Sequence, residues 1–445
     1  MMLPVKVVVR ALLPVVILCF LGNGASAQLE QSTLFRDTTV RGDSIFPTYP
    51  NTTSGEFTPG KGFSLVKTKI ATLNLSIYAM VRYLNQMPGK QTWQDHLGRD
   101  REFTGRNDFH WHRAMLWFSG QLFTPKLTYV ATVWSVMTTQ QTLVYGNIQY
   151  RFNKNFTLAA GIMPNISVRS MQGPFPFYLS TDRTMGEESL RAGFTNGITL
   201  KGEIVPRLNY ALFLGNNLST LGVQAAKLTR TLSKGVGLTW MPTTGEYGPR
   251  GGLIDFENHK EVSTRFGMSY THDRDNRFNN TGQPSPDNTQ VRMTDGVLFF
   301  ETGALADGVT VQEANYDMIA FDLGVKYKGF NAQAEIYNRV LSKFDTDGPV
   351  PINRIQDVGY SLQLSHMVVP KILNVYVIHS YFFDEFKRHP WELGGGVNVY
   401  PFKSRSWRLN GQLHHVYKSS AGGTFGLYTA GQTGTTVTIG TDILL

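Results

Sequence analysis

Strict two-residue alternation, repeated in segments of about ten residues, constrains this chain more than any other feature. From Thr72 to Tyr83 the apolar residues Leu73, Leu75, Ile77, Ala79, Val81 and Tyr83 interleave with Thr72, Asn74, Ser76, Tyr78 and Arg82. The period returns in Val144, Ile148, Tyr150 and Phe152 against Tyr145, Asn147, Gln149 and Arg151, and again in Ile319 through Tyr327 and Phe330 through Tyr337. Side chains on a strand point alternately to opposite faces, so each segment offers one face to lipid and the other to water. An open sheet in hydrocarbon would leave its edge amides unpaired, so a chain with this pattern must close into a barrel.

The connections support the same architecture. Thr124-Pro125-Lys126, Asn153-Lys154, Val205-Pro206-Arg207, Lys328-Gly329 and Val369-Pro370-Lys371 read as short periplasmic turns. The polar stretches 84–108, 165–192 and 273–314 read as long extracellular loops. Seventeen segments qualify as strands, but termini on one side require an even number. The alternation of short and long connections singles out 292–302 as the misfit. The expectation is an all-β transmembrane antiparallel barrel of about 16 strands, with 18 as the alternative. Its last strand carries Val437, Ile439, Thr441, Ile443 and Leu445 on one face.

The amino terminus reads as an export signal. Lys6 and Arg10 precede an apolar run of about eleven residues, Ala11 to Leu21, too short to span a bilayer, and Ala25-Ser26-Ala27 offers a cleavage site. The expected division is a signal peptide 1–27, a periplasmic extension or loose plug 28–63, and a barrel 64–445, placed in the outer membrane of a Gram-negative-type bacterium. The only cysteine, Cys19, falls inside the signal, so the mature chain has neither disulfides nor thiolate metal sites. Without Lys6 and Arg10 the 42 Lys+Arg become 40 against 33 Asp+Glu, a formal charge of +7. That excess favours anionic partners, while the absence of a long basic run argues against nucleic acid.

Enzymatic motifs are missing: there is no G-x-S-x-G elbow, P-loop or H-E-x-x-H helix, so no enzyme and no cofactor is expected. His110 and His112 share a strand face, and His414 adjoins His415, but neither pair has a third ligand at metal-site spacing. The loop 165–192 is expected to fold inward as a constriction, because Gly173-Pro174-Phe175-Pro176-Phe177-Tyr178 is stiff and Arg169, Arg183 and Arg191 suit anions. Asp182, Glu187 and Glu188 lie beside them. The strands add Arg82, Arg113, Arg151, Lys201, Arg265, Lys326, Arg339 and Arg408 on polar faces. Lys201 with Glu203, and Arg339 with Glu335, are also spaced for structural ion pairs.

The chain resembles the phosphate-selective porin family, porins O and P, diffusely over most of its mature length. The resemblance rests on His112-Arg113-Ala114-Met115-Leu116, Gly161-Ile162-Met163-Pro164 and Asp182-Arg183. It continues in Glu301-Thr302-Gly303-Ala304-Leu305, Lys328-Gly329-Phe330 and Asp357-Val358-Gly359-Tyr360 leading to Val369-Pro370-Lys371. It implies a trimeric 16-stranded barrel that conducts small anions through a basic ladder, with outer-membrane lipid around it. Arg169, Arg183, Arg191, Arg113, Arg151 and Lys201 are the expected pore or anion-binding residues. Two other readings remain open: a general or organic-solute porin without phosphate preference, and a plugged barrel serving adhesion or surface scaffolding.

Overall fold

A computed structural model describes residues 58–60, 62–136, 141–220, 223, 225–243, 247, 252–279, 291–422 and 426–445. The expected signal peptide and almost all of the expected extension 28–63 lie outside these residues. A short strand β1 (Phe63–Lys67) pairs with the foot of β2 (Thr72–Met87), and a small hairpin, β3 (Lys90–Gln94) and β4 (Asp100–Thr104), follows. Then come β5 (Asn107–Leu122), β6 (Thr124–Val136), β7 (Gln141–Asn153) and β8 (Phe156–Pro164). After a short helix α1 (Met185–Leu190) the wall resumes with β9 (Phe194–Val205), β10 (Leu208–Asn216), β11 (Leu232–Trp240) and β12 (Ser263–Asn276). It is completed by β13 (Val311–Tyr327), β14 (Phe330–Thr346), β15 (Arg354–Val369), β16 (Leu373–Phe383), β17 (Trp391–Val399), β18 (Trp407–Tyr417) and β19 (Gly434–Leu444).

Strand β2 pairs with β5, each strand from β5 onward pairs antiparallel with the next, and β19 returns to β2 with Thr435 opposite Met87 and Leu444 opposite Tyr78. The result is a closed 16-stranded antiparallel barrel of the transmembrane type. Segment 292–302 is not a strand; its only pairing is an isolated bridge between Arg292 and Leu298.

The alternation resolves into two faces. On β13, Phe321 and Leu323 are 48% and 44% exposed, whereas Asp322 between them is 7% exposed and faces the lumen. Aromatic side chains gather on the outer face at two levels, as expected at the two lipid–water interfaces. Tyr360, Tyr381, Phe383, Trp391 and Tyr417 form one level, and Phe152, Phe156, Phe402 and Trp407 the other. The tight turn at Lys328-Gly329 has positive φ at both residues (47° and 83°), the geometry that matches the twist of flanking strands.

Several connections depart from the sequence reading. The first turn falls at Phe123 (φ 58°), and Pro125 and Lys126 already belong to β6. The expected loop 84–108 is largely strand, because β2 runs into it as far as Met87, β5 begins within it at Asn107, and much of the remainder folds as the β3–β4 hairpin. The largest difference is the connection 241–262. It leaves β11 at the rim of the short turns, yet it is long and carries Tyr247, Leu253, Ile254 and Phe256 into the interior, where all are buried. The turn motifs do not mark it because its polarity resembles an outer loop.

Arginine on the outer face at the bilayer midplane costs roughly 2 to 4 kcal/mol. Phe321→Arg should lower the unfolding free energy of the barrel in lipid vesicles by about that amount, measured by urea titration. An unchanged midpoint would place this face away from lipid.

Candidate functional site

The loop 165–193 crosses the lumen and is fastened to most of its circumference. Asn165 donates to Ser233 on β11 (2.7 Å), and the Arg169 amide donates to Glu335 on β14 (2.7 Å). The Met185 amide donates to Glu392 on β17 (2.7 Å), and the Thr181 amide to Gln412 on β18 (3.2 Å). Asn398 donates to the Leu179 carbonyl (3.0 Å), and the Tyr316 hydroxyl to that of Leu190 (2.7 Å). Local sequence shapes the loop. Thr184-Met185-Gly186-Glu187 forms a capping box: the Glu187 amide donates to the Thr184 hydroxyl (3.2 Å), and the Thr184 amide donates to the Glu187 carboxylate (3.4 Å). Gly235 and Gly237 on β11 let the loop lie against the wall. A Cβ at Gly237 would stand 3.2 Å from Gln172 and from Ile166.

A second feature fixes the loop electrostatically. Between β2 and β5 the register shifts at Met80/Val81, a bulge that turns the consecutive residues His112 and Arg113 both into the lumen. Arg113 donates to both oxygens of Asp182 (3.1 and 3.3 Å), while Arg82 and His112 approach the same carboxylate at 3.8 Å. Burial alone would raise the pKa of Asp182, but Arg113, His112 and Arg82 hold it well below the usual carboxylate range. Asp182 therefore stays ionised at any ordinary pH. Its tether is at full strength above the ordinary carboxylate pKa, about 3.9, and is lost only as pH falls through the lowered folded value.

The strand cations face the lumen, but most are held by acids. Arg265 (2.9 Å) and Arg169 of the loop (3.8 Å) share Asp322; Arg339 binds Asp357 (2.6 Å); Arg408 binds Asp442 (3.1 Å). Arg339 thus pairs across the strand with Asp357 and not with Glu335. Lys326 donates to the Tyr247 carbonyl and lies over its ring, so the 241–262 connection covers it. Arg183, expected at the constriction, is only 3% exposed: it donates to Ser170 (3.1 Å) and stacks 5.5 Å from the Tyr178 ring. Arg191 is closed onto Glu188 (2.9 Å). Asp182 faces the wall and Arg183 the interior of the loop, so the adjacent pair divides into a tether and a packing residue.

Arg151 and Lys201 differ from these. Neither has a hydrogen bond or ion pair among the described residues; Glu203, the partner expected for Lys201, binds Lys154 (3.6 Å) instead. Arg151 lies opposite Thr157, which lies opposite Lys201, so the two cations flank Thr157 in one lumen-facing row of β7, β8 and β9. With strands about 4.8 Å apart, their backbones are separated by about 10 Å. The lumen wall from β12 to β19 is buried nearly throughout. On β7, β9 and β10, Gln149, Thr199, Lys201 and Ala211 stay partly exposed and Arg151 is exposed. Above this strip Trp134 packs edge to face against Tyr145 (6.3 Å) and Phe194 (6.1 Å).

The histidine pairs separate. His110 meets Asp108 (3.3 Å) while His112 joins the Asp182 cluster; His414 faces inward and His415 outward against Trp391. Among the described residues, Asp255, Glu257 and His259 bring potential metal-binding atoms within 4.8 Å of one another. Asp255 is committed to His259 and the Gly329 amide, and Glu257 to Arg405. The trio serves to pin the 241–262 connection.

Solved structures share the fold. The anion-selective porin from Comamonas acidovorans aligns with a TM-score of 0.50 at 12% identity, over 84% of this chain and 100% of its own. The outer-membrane expressed OmpT of Vibrio cholerae aligns with 0.52 at 9% identity, over 85% and 99%. Identities this low carry the fold and nothing finer. No protein-family model and no curated protein matches the chain.

Overpacking a tight contact costs about 1 to 3 kcal/mol. Gly237→Val should leave the barrel folded but raise amide exchange in 165–172 roughly tenfold or more, followed by mass spectrometry. Unchanged exchange would show that the loop does not rest on β11.

Proposed function

We propose that this chain is an outer-membrane channel for passive diffusion of small solutes, and that Arg151 and Lys201 give it a preference for anions. The observation that carries the proposal is their position. They are lumen-facing cations without an ion-pair or hydrogen-bond partner among the described residues, on a broad strip of wall that the inserted connections leave partly open. Two basic side chains flanking a threonine hydroxyl suit an oxyanion in transit, since neither alone provides a closed site that would hold it. The barrel fold and the export signal read from 1–27 support the location. Trimeric assembly and a preference for phosphate rest on the family resemblance and belong to the same proposal.

One observation favours a second reading, the plugged barrel. Residues from four connections enter the lumen with their own apolar side chains: Met171 and Leu179, Leu253 and Phe256, Met293 and Phe299, Leu427 and Tyr428. They cover the wall from β12 to β19 as a protein core would.

Planar-bilayer recording separates the two. The channel reading expects small stepwise currents with chloride more permeant than potassium. Two units of charge at about 8 Å in water are worth about 1 kcal/mol, so Arg151→Glu and Lys201→Glu should each shift selectivity towards cations roughly fivefold. Lys234→Glu, on the outer face of β11, should not. Folded protein without conductance would replace the channel with the plug.

A further inference from the structure

Exposed positive charge gathers at one end of the barrel. Every connection at the rim of the short turns has an exposed lysine or arginine in it or beside it. The tight turns hold Lys154, Arg207, Lys328 and Lys371, and the longer connections Lys260 and Lys403. Lys126 stands at the foot of β6, and Lys67 and Lys69 beside that of β2. Among the described residues the surface acids of this rim are Glu203, Glu257 and Glu261, and the first two are taken by Lys154 (3.6 Å) and Arg405 (3.0 Å). At the opposite rim several arginines are matched by acids: Arg99 and Arg101 meet Asp95 (2.9 and 3.1 Å), Arg106 meets Asp108 (2.9 Å) and Arg274 meets Glu313 (2.9 Å).

Two features of the ring point to what it faces. It stands directly outside an aromatic level: Lys154 lies between Phe152 and Phe156, Lys403 follows Phe402, and the Lys328 ammonium is 4.9 Å from the outward-facing Tyr327 ring. Ile70, Phe123 and Phe402, 64 to 77% exposed, carry the apolar surface up to the cations. A lysine stem on apolar surface with its ammonium beyond it is the arrangement that meets a lipid headgroup. The ring is also continuous. With strands about 4.8 Å apart and tilted by about 40°, successive turns stand about 12 Å apart round the whole circumference. A protein partner covering about 800 Å², about 30 Å across, would meet two or three of them. A lipid leaflet meets them all.

We propose that this rim is a docking surface for the phosphodiester headgroups of anionic phospholipid, which collect round the barrel in the leaflet at that end. A cation at an anionic membrane surface favours such a headgroup about fivefold at low salt. The binding does not depend on whether the lumen conducts.

The test uses the folded chain in vesicles of phosphatidylcholine containing brominated phosphatidylglycerol, which quenches tryptophan on contact. Trp117 and Trp134 are buried and Trp93 lies in the β3–β4 hairpin, so the outer face carries Trp240 and Trp407 near this rim and Trp111 and Trp391 near the other. In the double variant Trp111→Phe, Trp391→Phe the anionic lipid should be enriched about threefold or more over brominated phosphatidylcholine. In Trp240→Phe, Trp407→Phe it should not be. Raising salt from about 0.05 to 0.5 M should remove the enrichment. So should Arg207→Asn, Lys328→Asn, Lys371→Asn and Lys403→Asn combined. These four residues have φ of 47 to 71°, which asparagine tolerates, so folding should persist, checked by heat-modifiable mobility. Equal quenching by the two lipids at this rim, enrichment at both rims, or enrichment that survives the four substitutions overturns the proposal. So does loss of enrichment to inorganic phosphate at matched ionic strength, which would assign the cations to a soluble anion.

Discussion

Everything in this molecule follows from the need to pair backbone amides and carbonyls where no water is present. In hydrocarbon an unpaired peptide group costs several kcal/mol, so a spanning sheet has to close, and here it closes where β19 meets β2. Closure forces alternate residues into an enclosed lumen. A lumen lined by polar and charged groups has two stable conditions: filled with water, or filled with protein that satisfies the wall. Most of this barrel takes the second.

That choice explains the ion pairs. Once the connections exclude water from the wall, a lone arginine is costly, and removing one partner of a buried pair costs about 3 to 5 kcal/mol. Accordingly Arg265, Arg339 and Arg408 each have an acid on a neighbouring strand, and Arg113 takes one from the inward loop. The region of β7 to β10 escapes this requirement. Its lumen face keeps contact with water, so Arg151 and Lys201 are tolerated without an acid beside them among the described residues. The distribution of partners is thus a map of where water remains, which for a channel is also where a solute passes.

The fold was legible in the sequence because lipid and water impose opposite requirements on neighbouring residues, and a run such as Ile319 to Tyr327 records both. Segment 292–302 was correctly set aside by the parity of short and long connections, although its apolar residues resemble a strand; Val297, Phe299 and Phe300 are apolar because they pack inside the lumen. The site was less legible. Arg113 and Asp182 are 69 residues apart, and their meeting depends on a bulge that no local motif marks. Arg183 has the right chemistry for a pore and sits beside Asp182, but one residue along a loop reverses the direction of a side chain. The capping box at Thr184-Met185-Gly186-Glu187 was readable and would have located α1 within the loop. The 241–262 connection was hidden because its turn residues do not tell an inserted segment from an exposed one.

The central claim is that the inserted loop, and not the barrel wall, limits passage through the lumen. Single-channel recording of a variant in which 168–190 is replaced by a short glycine–serine link tests it most directly. The wall is closed by its own hydrogen bonds and should fold without the loop, and conductance should rise severalfold over that of the native chain. A folded variant with native conductance would contradict the account and place the barrier in the 241–262 or 277–310 connections.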